Sequence, residues 1–177
     1  ILRQPMEDQT ITISRVNSSF TYPADFLLVC AMNPCKCGFY PDRTRCRCTN
    51  TQVRQYLSRI SQPLLDRIDL CAEAEPVTYR ELTGKVRGES SAQIRARVLA
   101  AQQMQRERYR NESWYFNSQV PVAHLTTYCR LGKKETAYME RMYEKLQLSA
   151  RAYHKIIKLS RTIADLEESS CITTRHL

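Results

Sequence analysis

Hydrophobic and polar residues follow two different rhythms along this 177-residue chain. Up to Pro76 the rhythm is that of strands. Thr10-Ile-Thr-Ile13 alternates polar and apolar, which predicts a half-exposed strand. Asn17-Ser-Ser19 is a turn signal, and Phe20-Thr-Tyr22 returns as the second strand of a hairpin that Pro23 ends. Phe26 to Cys30 is apolar without alternation, the pattern of a strand buried on both faces in a parallel sheet. Ile68 to Ala74 alternates again and predicts a second core strand, ending at Pro76. Between these strands lie a cysteine-bearing loop, residues 34–50, and a short helix through Leu57 for which Thr51 is the expected cap. Thr78-Tyr-Arg-Glu81 fits a capping box for another short helix.

From Ser90 the period lengthens to that of helices. Ser90 or Ser91 caps a long helix with Ile94, Val98 and Ala101 inward and Arg95, Arg106, Arg108 and Arg110 among its polar positions. Asn111 and the stretch from Trp114 to Pro121 read as a linker, followed by a short helix to Cys129 that Gly132 breaks. Met139, Met142, Tyr143 and Leu146 then recur at helical spacing. Ser149 caps a last helix with Tyr153, Ile156, Ile157, Ser160 and Ile163 on one face and Arg151, Lys155 and Lys158 on another. The pattern thus predicts an α/β layer over residues 1–76, a linker over 77–90 and an all-α domain over 91–177. Ile1 to Pro5 reads as the last turn of a helix broken by proline. Thr173 or Thr174 would cap a helix that has no room to form, so the chain is expected to be part of a longer protein.

Composition narrows the function classes. A hydrophobic content of 42% marks a folded chain rather than a disordered one. No apolar run reaches the length of about 18 residues that a spanning helix needs, so no membrane segment is expected. Eight cysteines without a secretory signal point to a reducing compartment, the cytoplasm, where clustered cysteines bind metal more often than they form disulfides. The net charge is +9, and residues 35–59 concentrate six basic residues against Asp42 alone. Such a patch favours a polyanion, nucleic acid or nucleotide phosphate, with a merely solvated surface as the alternative; a second feature in the same stretch bears on it.

Cys35-Lys-Cys37 and Cys46-Arg-Cys48 supply that second feature. Four thiolates satisfy tetrahedral zinc, and soft sulfur selects zinc over hard cations. Eight residues separate the pairs, with Gly38 and Pro41-Asp42 available for turns. Each pair has one intervening residue where zinc ribbons use two, so free thiols or disulfides formed on handling stay open as alternatives. Four cysteines leave no open coordination position, so the role would be structural: to shape a basic loop of Lys36, Arg43, Arg45 and Arg47, with Phe39 and Tyr40 able to stack on bases. Asn33 ends the apolar run. It is either a residue at the ligand-binding edge of an α/β sheet, able to orient a water, or a turn residue before Pro34. Arg67 could reach a phosphate on a neighbouring subunit or pair locally with Asp66 or Asp69. Arg151, a cation in the first turn of a helix, opposes the helix dipole or is simply solvated. His124, His154 and His176 are scattered without ligand spacing and read as ordinary. Neither GxSxG, HExxH nor GxGxxG occurs, and Gly132-Lys133 lacks the rest of a phosphate-binding loop.

Together these stretches make the chain similar to a known family. Leu2-Arg-Gln-Pro-Met-Glu-Asp8, Thr12-Ile-Ser-Arg15, Tyr22-Pro23, Ala31-Met-Asn-Pro-Cys35, Cys37-Gly38, Cys46-Arg-Cys48, Leu64-Leu-Asp-Arg-Ile-Asp-Leu70, Gly88-Glu-Ser-Ser91, Leu148-Ser-Ala-Arg-Ala-Tyr-His154 and Arg161-Thr-Ile-Ala-Asp-Leu166 carry the resemblance. The chain resembles the C-terminal portion of the bacterial magnesium-chelatase-like AAA+ ATPases, the competence-protein M group. The resemblance implies the second half of a P-loop ATPase core, part of a parallel sheet plus a β-hairpin, followed by a helical lid. It implies that Asn33 is the first sensor, positioning the attacking water, that Arg67 is an arginine finger acting in trans, and that Arg151 is the second sensor, a lid arginine reaching nucleotide. It implies ATP and Mg2+ as cofactors of the full-length protein, a homo-oligomeric ring (a hexamer) and DNA as a partner, in helicase-like branch migration. The phosphate-binding loop and the Mg-holding acidic motif precede this stretch in the family, so the piece alone is expected not to hydrolyse ATP. Lys36 stands where the family often has proline, which keeps the thiols and adds charge. The rival expectations are a motor for magnesium insertion into porphyrin, which the cysteine insertion disfavours, and a non-enzymatic zinc and DNA binding module.

Overall fold

The computed structural model describes residues 2–16, 18–74, 76–84 and 88–177; of Arg3 and Glu81 only the backbone is described. The chain forms two compact units, Ile1–Glu73 and Ala74–Leu177, which are taken in turn.

The first unit opens with α1 (Arg3–Asp8), which closes on Gln9 in the left-handed region at φ 53°. Pro5 does not break this helix. It sits in the first turn, where an amide has no intrahelical acceptor to lose, and its ring is buried. β1 (Thr10–Arg15) and β2 (Ser18–Pro23) pair antiparallel, with Ile11 opposite Tyr22 and Ile13 opposite Phe20. The hydroxyls of Thr12 and Thr21 (3.1 Å) and of Ser14 and Ser19 (3.0 Å) bond across the other face. The hairpin is the expected one, but Ser18 and Ser19 belong to its second strand and not to the turn; Asn17 lies outside the described residues.

The expected parallel sheet is not formed: among the described residues the hairpin is the sheet. Residues 26–30 and 68–74 are not strands, and Leu27, Val29 and Leu70 stand 89%, 81% and 66% exposed. Apolar sequence provides the faces of a strand, but a strand exists only through a hydrogen-bonded neighbour. α2 (Asn50–Leu57) and α3 (Gln62–Leu65) complete the unit. The cap of α2 is Thr49, not Thr51. Its hydroxyl accepts from the Gln52 amide (3.2 Å), while the Gln52 side-chain carbonyl accepts from the Thr49 amide (2.9 Å), a reciprocal capping box.

Among its described residues the regular elements of the second unit are all helices. α4 (Tyr79–Thr83) comes first; the capping box expected there depends on the Glu81 side chain, which lies outside the described residues. α5 (Ser91–Arg108) starts where expected. The Ser90 hydroxyl accepts from the Gln93 amide (3.4 Å), and Gln93 Oε1 accepts from the Ser90 amide (2.9 Å). Its inward face differs from the expectation. Ala101 and Gln105 are buried, while Ile94 (43%) and Val98 (39%) are exposed, because only the C-terminal half packs, against α8.

The predicted linker is a second correction. After Tyr109 the chain runs through two single 3-10 turns, Asn117–Gln119 and Val122–His124, into α6 (Leu125–Tyr128). Tyr109, Asn117 and Val120 in this stretch are among the most deeply buried side chains. Such turns place core residues without any regular period, so no period announces them. Then α7 (Lys133–Leu146) and α8 (Ala150–Leu166) follow, the latter capped by the Ser149 hydroxyl, which accepts from the Ala152 amide at 3.1 Å. The core joins Tyr109, Val120, Leu125, Cys129, Met139, Ile157, Ala164 and Ile172. On α7 the expected face is buried at Met139 and open at Tyr143 and Leu146.

A buried polar cluster crosses this core. Asp165 accepts from Arg108 (2.5 and 2.9 Å), from Asn117 Nδ2 (2.8 Å) and from Arg161 Nε (3.2 Å). Arg161 also donates to the Ser169 and Ser170 carbonyls (2.5 and 3.0 Å), holding the segment after α8. His176 is buried there. Its Nδ1 accepts from the Thr173 amide (3.0 Å) and its Nε2 stands 3.1 Å from Glu167.

Candidate metal centre

The loop between Pro34 and Thr49 folds back on itself through short local bonds. The Gly38 amide donates to the Cys35 carbonyl (3.1 Å), and Gly38 turns with φ +84°, which favours glycine. The Tyr40–Pro41 peptide bond is cis. The Asp42 carboxylate accepts from the Thr44 amide (2.9 Å) and hydroxyl (2.6 Å), and its carbonyl accepts from the Cys46 amide (2.8 Å). These two turns bring the cysteine pairs face to face, and Val53 of α2 packs beneath them.

The result is a cage. The four Sγ atoms of Cys35, Cys37, Cys46 and Cys48 all lie within 4.8 Å of one another. Cys35 to Cys37 is 3.3 Å, Cys37 to Cys46 is 3.6 Å and Cys35 to Cys46 is 3.8 Å. Zinc bonds of about 2.3 Å in a tetrahedron set sulfurs about 3.8 Å apart. A disulfide would need about 2.05 Å, and all four are free thiols. The donor set therefore fits a zinc ion by number and element and lies close to its spacing, with the one-residue pair Cys35–Cys37 tighter, at 3.3 Å, than the tetrahedral separation. Cys35 and Cys46 are buried, Cys37 and Cys48 half-buried.

Protons divide unevenly over the cage. Burial pushes the Cys35 thiol up, but hydrogen bonds from the Tyr40 backbone and from Cys37 outweigh it and bring it down to about 6. The Phe39 backbone lowers Cys37. Burial, with the neighbouring Cys37 and Cys35 thiols, pushes Cys46 up to about 11. Cys48 is raised as well: the Cys37 backbone lowers it, and the Cys37 thiol with burial outweighs that. Sulfurs this close cannot all ionise without a cation among them, which is what a divalent ion would supply.

The other expected site residues stand as follows. Asn33 is exposed two residues before Cys35, and its side-chain amide flanks Gly38. Lys36, Arg43, Arg45 and Arg47 are all exposed on the loop. Arg67 lies in the first unit too, but its side chain is only 12% exposed and pairs with Glu7 of α1 at 2.5 Å. It also donates to the Pro63 carbonyl, and its Nε is buried without a partner. Arg151 is exposed in the first turn of α8, in the second unit. Two features went unread in the sequence. One is the Glu7 partner of Arg67, sixty positions away. The other is the pairing of the loop aromatics with its own arginines: Arg43 lies 4.9 Å over the Tyr40 ring and Arg45 lies 4.1 Å over the Phe39 ring. Alternation of Phe39, Tyr40, Arg43 and Arg45 within seven residues was the available signal.

Comparison with known proteins matches the chain in two adjoining parts. Residues 1–82 match the family described as magnesium chelatase, subunit ChlI, and residues 88–177 match its C-terminal family, subunit ChlI C-terminal. Competence protein ComM of Haemophilus influenzae is 43% identical over 99% of this chain and 34% of its own length. Uncharacterized protein YifB of Escherichia coli is 39% identical over the same shares. A Mycobacterium tuberculosis protein is 32% identical over 93% of this chain and 32% of its own length. The chain thus spans about a third of the length of the curated relatives it matches.

Proposed function

This chain belongs to the magnesium chelatase subunit ChlI family, and on that premise we propose that it is one part of a ring-forming, DNA-acting AAA+ ATPase. The observation that supports this most is the cysteine cage beside Asn33: it builds an exposed, arginine-rich loop next to the residue assigned to the attacking water. The similarity to a protein named for competence points the same way, to DNA uptake or recombination in the cytoplasm.

Phosphoryl transfer leaves a protein mainly to position groups and offset charge. Asn33 carries an amide that donates and accepts at once, the property needed to hold a water in line with a terminal phosphate. Arg67 supplies positive charge to the neighbouring subunit's nucleotide. To do so it must exchange Glu7 and the Pro63 carbonyl for a phosphate, and the partnerless Nε is a donor left over for that exchange. Arg151 contributes a second cation from the lid helix. ATP and Mg2+ are held by a phosphate loop and an acidic motif that this sequence does not contain, so the chain alone is inactive. In the assembled protein residues 26–30 and 68–74 become inner strands of the parallel sheet. Their exposed Leu27, Val29 and Leu70 are the surface such neighbours would cover. Cys35, Cys37, Cys46 and Cys48 would hold a zinc ion that orders the basic loop, and their four thiolates would leave it no open position for hydrolysis.

A second reading, magnesium insertion into porphyrin, follows from the family's description. The DNA reading is preferred because an exposed cationic loop favours a polyanion.

The test is subunit mixing in the full-length ring. Asn33→Ala and Arg67→Ala are each expected to lower ATP hydrolysis by about 10³-fold. Mixed together they are expected to regain a substantial share of activity, because an interface between the intact Asn33 of one subunit and the intact Arg67 of the other is rebuilt. Inactive mixtures that still form rings would refute the trans role.

A further inference from the structure

We propose that the cysteine loop grips DNA by its phosphates through Lys36, Arg45 and Arg47, and that Arg43 is a clasp of the loop rather than a DNA contact. The inference deepens the DNA reading above and rests on it.

The four cations are not equivalent. Arg43 is spent inside the loop. Its Nη1 donates to the Cys48 carbonyl (3.0 Å), its Nη2 donates to Asn50 Oδ1, and its plane covers Tyr40 at 4.9 Å. It therefore ties the middle of the loop to the second cysteine pair and the start of α2. Arg45 is different. Its guanidinium stacks on Phe39 at 4.1 Å and, among the described residues, donates no hydrogen bond, so the side-chain N–H donors remain a flat, pre-oriented fork. Its backbone amide donates to the Asp42 carbonyl (3.3 Å), and its charge, after the Thr44 hydrogen bonds, helps hold the Asp42 carboxyl down. Lys36 and Arg47 are each the single residue between two caged thiols. The cysteines on either side turn in, and the intervening residue is exposed at a backbone pinned on both sides. Two guanidinium forks, Arg45 and Arg47, and the Lys36 point charge on a fixed frame suit phosphate oxygens.

The same geometry argues against base stacking. One face of Phe39 is taken by Arg45 and one face of Tyr40 by Arg43, so the rings the sequence offered to bases already stack on guanidinium groups. Zinc with four thiolates carries a net charge of about −2. Six basic residues against one acidic residue over 35–59 leave the stretch cationic after that offset. With one face of each loop ring already stacked on a guanidinium, the loop's charge reads the backbone before the bases.

The experiment uses the 177-residue chain, zinc-loaded, with two fluorescent single strands of equal length. One is ordinary DNA and the other is an abasic sugar-phosphate strand. The two are expected to bind within about twofold of each other. Arg45→Ala and Arg47→Ala are each expected to flatten the slope of log K against log salt by ~0.7, the share of one single-strand phosphate contact. Arg43→Ala is expected to lose zinc faster to a chelator, and at saturating zinc to keep the parent slope. A tenfold or greater loss on the abasic strand overturns the phosphate grip while leaving DNA binding intact. A slope loss for Arg43→Ala equal to that of Arg45→Ala, at full zinc content, overturns the division of labour. No binding to either strand at low salt sinks the DNA reading along with the inference.

Discussion

At the scale of single residues, the charges divide into those that build and those that reach out, and only the structure separates them. Arg108 stands among the polar positions of its helix in the sequence. In the fold it and Arg161 converge on Asp165, which is 1% exposed. Arg161 and Asp165 stand four positions apart on α8, but Arg108 meets Asp165 across 57 positions, a distance no local pattern encodes. Removing one partner of such a cluster leaves buried charge uncompensated. Asp165→Asn is expected to destabilise the second unit by about 3–5 kcal/mol in urea unfolding. Burial alone would raise the Asp165 carboxyl, but the Arg108 and Asn117 hydrogen bonds outweigh it and hold the group below its ordinary 3.8. Its contribution is therefore complete above the unfolded value of about 3.9 and is lost as pH falls through the lower folded value. The difference in stability between parent and variant is expected to be constant from pH 5 to 7 and to shrink below pH 4. A difference that grew on acidification would contradict this assignment.

At the scale of elements, what was legible is what repeats. The hairpin and the starts of α5 and α8 follow from alternation, helical period and serine caps, and they form where those signals stand. Ser90→Ala removes one half of a capping box and is expected to cost about 1 kcal/mol, lowering the midpoint of thermal unfolding by roughly 4 °C. Ile94→Ala, on the open face of the same helix, is expected to change it by less than half as much. Equal losses would place Ile94 in a packed interface and not at the exposed position it holds. Elements were missed where they depend on something beyond themselves. Residues 26–30 have a strand's composition but no paired neighbour, and Asn117 and Val120 fill the core from irregular turns. Thr49 caps α2 in place of Thr51 because the box needs Gln52 three positions on.

At the scale of the whole molecule, two units carry different kinds of order. The second has a continuous apolar core, from Tyr109 to Ile172. The first has, among the described residues, a small cluster of Cys35, Cys46 and Val53, and its hairpin and its apolar segments stay largely exposed. Four thiolates around an ion would hold together what three small buried side chains cannot. The cage was the most legible site in the sequence: two Cys-x-Cys pairs eight residues apart announced it, and the fold brings all four sulfurs within 4.8 Å. Its relation to the basic side chains was not legible, because stacking and clasping depend on where the loop turns. Everything proposed for the loop depends on an ion being there. The most direct measurement is zinc per chain by inductively coupled plasma mass spectrometry, on reduced protein purified without chelator. Close to one zinc per chain is expected, and almost none after Cys46→Ser with Cys48→Ser. Reduced, folded protein with four reactive cage thiols and no bound metal would contradict it.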